Sequence, residues 1–170
     1  MISLLSILPA VGLALAAQVD ETVCNAPVGA DILLDETRGQ VLLLGEMHGT
    51  EQAPKFADAM VCLALARGES VVLGLEQSSM EQERIDTYLA SDGSEAARQA
   101  LFVGSSFWNS RFRDGRSSLA KLELIELSRH RMADGADLSV EALDFGPTDT
   151  DLVEADFRRD RVMLRNALSL

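Results

Sequence analysis

The side chains best placed to do chemistry are Glu46 and His48, set in the short run Gly45-Glu46-Met47-His48-Gly49-Thr50. An imidazole beside a carboxylate can act as a general base on water, with the acid orienting the ring. The same pair, joined by a third donor, can hold a divalent cation that lowers the pKa of a bound water. Two more acids follow apolar runs: Glu76 after Ser70–Leu75, and Asp144 near the end of Leu138–Phe145. Each has a plainer role open to it, because an acid after a strand often caps a helix or sits in water. Their convergence on one edge would favour the functional reading.

The elements that must bring them together can be read from the apolar pattern. Val41-Leu42-Leu43-Leu44 has no polar interruption, which predicts a fully buried strand ending at Gly45. Pro54 suits the first position of a helix carrying Phe56, Met60 and Leu63 on one face and closing at Gly68. Ser70–Leu75 is a second strand, so a right-handed βαβ unit makes the two strands parallel and puts Glu76 beside Glu46 and His48. Leu138–Phe145 is the third strand. The expected fold class is α/β, a small parallel sheet with helices on both faces and the site at the carboxyl edge of the strands.

Between these elements, Ala30–Leu34 reads as an edge strand or a helical turn, and Asp35–Gly39 as a polar turn. Ser78-Ser79-Met80-Glu81 has the form of a capping box ahead of Ile85 and Leu89. Glu95–Phe102 is a short helix. Ser117 or Ser118 opens another that ends at Gly135, with His130 near its end compensating the helix dipole or simply solvated. A last helix starts at Asp151. The stretch from Gly104 to Gly115 is irregular and holds the single tryptophan, Trp108; a loop that long is usually functional or mobile. Within and beyond it, Arg113, Asp114 and Arg116 could close over an anion or form an exposed salt-linked loop.

The 170 residues include 27 acidic and 15 basic side chains, for a net charge of −12. Only Lys55 and Lys121 are lysines, and no basic stripe appears, which argues against nucleic acid as a partner. Residues 1–17 have an apolar core and a small-x-small pattern at Ala14-Leu15-Ala16, the form of a cleaved export signal. That core is short for a bilayer, and nothing later could cross one, so no stable membrane span is expected after its removal. Export would permit a disulfide between Cys24 and Cys62; otherwise Cys62 is a small buried apolar residue.

Gly45-Glu46-Met47-His48-Gly49-Thr50, the strand ending Gly74-Leu75-Glu76, and Asp114-Gly115-Arg116-Ser117-Ser118 resemble the superfamily that joins ChaN-like haem-binding proteins, erythromycin esterases and Tiki/TraB proteins. Arg159-Asp160-x-x-Met163 is similar to a further motif of that group. The resemblance covers about Val41 to Leu170. It implies catalytic or metal-binding roles for Glu46, His48 and Glu76, and ligand-binding roles for Asp114, Arg116 and Asp160, with Asp144 added by its place on the edge. Members usually continue into another strand and a second histidine-bearing loop, so a C-terminally shortened relative is expected. Its uncovered sheet edge would invite a homodimer. The expected function is an exported hydrolase of the periplasm or cell envelope, cleaving an ester or amide in a small-molecule or peptide substrate, with or without a divalent metal. The alternatives are a haem- or iron-binding envelope protein and an inactive relative. For haem, His48 would be the axial ligand, and Tyr88 is the one tyrosine.

Overall fold

The computed structural model describes residues 24–111, 114–144 and 163–169. The predicted export signal, Asp160 and the start of the last helix lie outside them; residues 163–168 are helical. The described elements run α1 (Ala30–Glu36), α2 (Gln52–Ala66), β1 (Val71–Ser78), a 3-10 turn (Ser79–Glu81), α3 (Gln82–Leu89), α4 (Glu95–Phe102), α5 (Leu119–Ala133) and β2 (Leu138–Asp144). The fold is α/β, and β1 and β2 pair in parallel.

The alternation of the two strands fixes where the core lies. Leu73 faces Val140 and Leu75 faces Ala142 across the ladder. Ile85, Tyr88 and Leu89 of α3, Leu101 of α4, and Leu124 and Ile125 of α5 close over this face. Hydroxyl caps start two of these helices: Ser94 Oγ accepts from the Ala97 N–H at 3.3 Å, and Ser118 Oγ from the Lys121 N–H at 3.3 Å. The Ser78 box is looser, since Ser78 Oγ accepts from Met80 N–H at 3.4 Å and only a 3-10 turn follows before α3. Ala30–Glu36 takes the helical alternative. It is tied to α2 by the Cys24–Cys62 disulfide, with Cα atoms 5.5 Å apart, and by packing of Ala30 on Met60 and Leu63.

The expected strand Val41–Leu44 is not one. It has no ladder partner, so the described sheet has two strands rather than three. Val41, Leu43 and Leu44 are exposed, and Leu42 alone packs, against the Ala30 cluster. A run without alternation gains from strand formation only when both faces are covered. Full burial of such a side chain is worth about 1.5–3 kcal/mol, and Val41, Leu43 and Leu44 each forgo part of it. Pro54 also moves, to the third position of α2, still within the first turn, where its missing N–H is harmless.

Two features of the strands matter later. From Leu75 to Ser78, β1 advances three residues while β2 advances two, from Ala142 to Asp144. This bulge falls at Glu76 and Gln77. On the far side of β2, the Gln82 side chain donates to Val140 O at 2.9 Å and accepts from Ala142 N–H at 2.6 Å.

Glu141, half-buried on β2, has its carboxyl pushed up by burial and then by the nearby Asp86. A raised carboxyl means that the folded state prefers the proton. Stability on this account is highest below the ordinary value of 4.5 and declines as pH rises through the folded value. Glu141→Gln should therefore be more stable at neutral pH, by roughly 0.5 kcal/mol. It should also have a flatter stability profile above pH 4.5, read by denaturant unfolding across pH. Equal slopes in the two proteins would refute this.

Candidate active site

Glu46 and His48 are held by a turn rather than by a strand. Thr50 donates to Met47 O through its N–H at 3.2 Å and its hydroxyl at 2.8 Å. Gly49, at φ +79°, takes a left-handed conformation that side chains resist. The turn is then clamped from across the molecule. Gly115, at φ +92°, lies so close that a Cβ on it would sit 2.4 Å from Gly49 N and 2.7 Å from His48 C. Both obstacles are backbone and cannot rotate away. Gly115→Ala should therefore push the His48 turn off its seat and cost about 1–3 kcal/mol, seen as a lower melting temperature. Wild-type melting with unchanged His48 chemical shifts would show the clamp to be unimportant.

Glu76 arrives from the β1 bulge. Bulges re-aim side chains next to functional sites, and here the extra residue turns Glu76 toward His48. Its Oε2 lies 3.7 Å from His48 Nε2, while Glu46 Oε1 lies 3.5 Å from His48 Nδ1. The imidazole thus stands between two carboxylates, one at each nitrogen. Glu46 Oε1 and His48 Nδ1 are both buried and have no hydrogen-bond partner. Separations of this size are outside normal hydrogen bonding, but catalytic contacts are often long before substrate binds.

Two cations answer the acids. Arg116 Nη1 lies 3.5 Å from Glu76 Oε1 and 3.4 Å from Asp144 Oδ2, and its Nη2 lies 2.8 Å from Asp114 Oδ2. The Arg116 side-chain hydrogen bond, its backbone N–H and the nearby His48 together hold the Asp114 carboxyl below its usual range. On the other side, Lys121 Nζ lies 3.5 Å from Glu46 Oε2. The structure therefore gathers Glu46, His48, Glu76, Asp114, Arg116 and Asp144, six of the seven residues singled out from the sequence. Asp160 lies outside the described residues.

Sequence reasoning missed Lys121, Gln77 and Gly115. Lys121 is almost wholly buried in the first turn of α5. Gln77 is fully buried in the bulge, and neither polar atom of its amide has a hydrogen-bond partner. Lys121 left one signal, a lone lysine in a chain with only two. Gly115 stood inside the Asp114–Ser118 motif, but its approach to Gly49, like the burial of Gln77, depends on three-dimensional packing and left no signal.

A divalent cation does not fit Glu46, His48 and Glu76 as they stand. A neutral imidazole offers one lone pair, and the two acids face opposite ring nitrogens, so the three donors do not meet at one point. Among the described residues, no three His, Cys, Asp or Glu side chains form a metal-binding group. Haem fits no better. Each nitrogen of His48 faces a carboxylate, and Tyr88 is buried with its hydroxyl donating to Glu126. No helix among the described residues is long and apolar enough to cross a membrane. His130 Nε2 lies 2.9 Å from Glu126 Oε1 in the last turn of α5, and Trp108 packs edge-to-face on Phe102 and Phe107. Comparison of the chain with protein-family models, curated proteins and solved structures gave no significant match.

Proposed function

We propose that this protein is a hydrolase of esters or amides in a small molecule or peptide, with His48 as general base, and a relative of the superfamily its motifs resemble. The observation that carries the reading is the apposition of Glu46 Oε1 and His48 Nδ1, two buried polar atoms without hydrogen bonds, 3.5 Å apart. Burying such atoms unpaired costs stability, and active sites are where that cost is tolerated.

A neutral His48 with its proton on Nδ1, facing Glu46, presents the Nε2 lone pair toward Glu76. A water within reach of both Nε2 and Glu76 Oε2 can donate one O–H to each. As its oxygen bonds to the substrate carbonyl carbon, one proton passes to Nε2. Arg116, beside Glu76, supplies positive charge for the oxyanion. Collapse breaks the carbon–oxygen or carbon–nitrogen bond, and the leaving group takes the proton from Nε2. No step passes through a metal.

Export is part of the proposal. The apolar leader supports it, and so does the Cys24–Cys62 disulfide, which suits an oxidising compartment. The test is turnover of 4-nitrophenyl esters and acyl-amide analogues by the purified protein after treatment with a chelator. Hydrolysis above buffer that survives chelation is expected. Folded protein that cleaves none of them, or that forms a Soret band with haem through His48, would overturn the proposal.

A further inference from the structure

Lys121 occupies a doubly unfavourable place for a cation. Its side chain is 3% exposed, so its ammonium has lost most of its hydration. It also lies in the first turn of α5, where the helix dipole is already positive and acids are favoured. Its backbone N–H is satisfied by the Ser118 hydroxyl, a bond that any non-proline residue could make. Replacing a whole buried ion pair with apolar side chains is often neutral or stabilising, whereas removing Lys121 alone takes the counter-charge from Glu46. What the ammonium does reach is Glu46: Nζ lies 3.5 Å from Oε2, the oxygen that does not face His48.

We propose that Lys121 is a positioning residue, holding Glu46 by Oε2 so that Oε1 stays aimed at His48 Nδ1 and the ring keeps its proton there. This rests on the reading of His48 as a base acting through Nε2. The Glu46 side chain is 18% exposed and can swing into water once released. Nδ1 then loses the carboxylate that faces it. The proton moves to Nε2, where Glu76 Oε2 stands 3.7 Å away, and the lone pair that takes a proton from water is gone.

The test reads the tautomer, which exists whether or not a substrate has been found. Long-range proton–nitrogen spectra of the ¹⁵N-labelled protein, at a pH where the ring is neutral, distinguish the two forms. A His130→Asn background removes the second histidine. The wild type should carry the proton mainly on Nδ1. Lys121→Met and Glu46→Gln should both move it mainly to Nε2, and Lys121→Arg should return it toward Nδ1. Thermal unfolding verifies that each variant is folded. If Lys121→Met does not fold, Lys121→Gln and Glu46→Gln carry the same readout. On a cleaved ester, kcat should fall about tenfold or more with KM little changed.

An unchanged tautomer in Lys121→Met, a shift toward more Nδ1–H, or a wild-type ring already protonated on Nε2 would each overturn the role. The two proposals fail separately. A tautomer that responds as expected in a protein that cleaves nothing refutes the hydrolase alone. Turnover with a tautomer indifferent to Lys121 refutes the positioning role alone.

Discussion

His48→Ala should lower ester hydrolysis by about 10²–10⁴-fold, the usual worth of a positioned general base, while leaving the melting temperature within a few degrees. The imidazole is partly exposed, at 29% of its side-chain surface, and Nδ1 has no hydrogen bond to lose. Removing it leaves Glu46 paired with Lys121 and Glu76 with Arg116, so neither acid is stranded. A large loss in kcat with little loss of stability marks a residue kept for chemistry. His48→Gln should be as inactive as alanine, since an amide cannot take the proton. Glu46→Gln should fall between these and the wild type, because the acid orients the base rather than touching substrate. Retained turnover in His48→Ala would place the chemistry elsewhere.

Cutting the Cys24–Cys62 disulfide should have the largest effect on stability. The bond closes a loop of sequence separation 38. The chain-entropy relation gives about 4 kcal/mol for a loop of that size, equivalent to roughly 8–16 °C in melting temperature for a domain of this length. The paired Cys24→Ala, Cys62→Ala variant is the test, with dithiothreitol as an independent route to the same state. The loss should be felt first by α1, which is tied to α2 by this bond and by the small cluster around Ala30, Met60 and Leu63. The site should feel it less, because Gly115 lies against the backbone of the His48 turn and Lys121 pairs with Glu46 from the start of α5. Well below the lowered melting temperature, turnover should therefore stay within about twofold of wild type, well inside the tenfold that 1.4 kcal/mol would bring. A variant that melts like the wild type would show that α1 docks without the bond.

What the sequence made legible was which side chains lie together more than what holds them there. Glu76 and Asp144 end up together because β1 and β2 are parallel, as the expected small parallel sheet has it, although the strand–helix–strand unit read from Val41 to Leu75 does not form. Helices with a hydroxyl at their start and a glycine beyond their end, such as α5 between Ser118 and Gly135, were readable because their signals are local. Val41–Leu44 misled because composition reports how apolar a run is, whereas strand formation also needs a neighbour to pair with. The bulge at Glu76, the glycine-on-glycine contact and the buried Lys121 were invisible for a related reason. Each is set by a residue distant in sequence: Asp144 for the bulge, Gly49 for Gly115, Glu46 for Lys121.

The Gln82 side chain behaves like a single residue of a missing strand. By filling Val140 O and Ala142 N–H, it takes up the two backbone groups that an incoming chain would need in order to zip onto the outer side of β2. Addition there would first have to evict an amide that makes both bonds at once. Among the described residues the two margins of the sheet thus differ: that of β2 is plugged by the molecule's own helix, while Val72 on β1 is exposed.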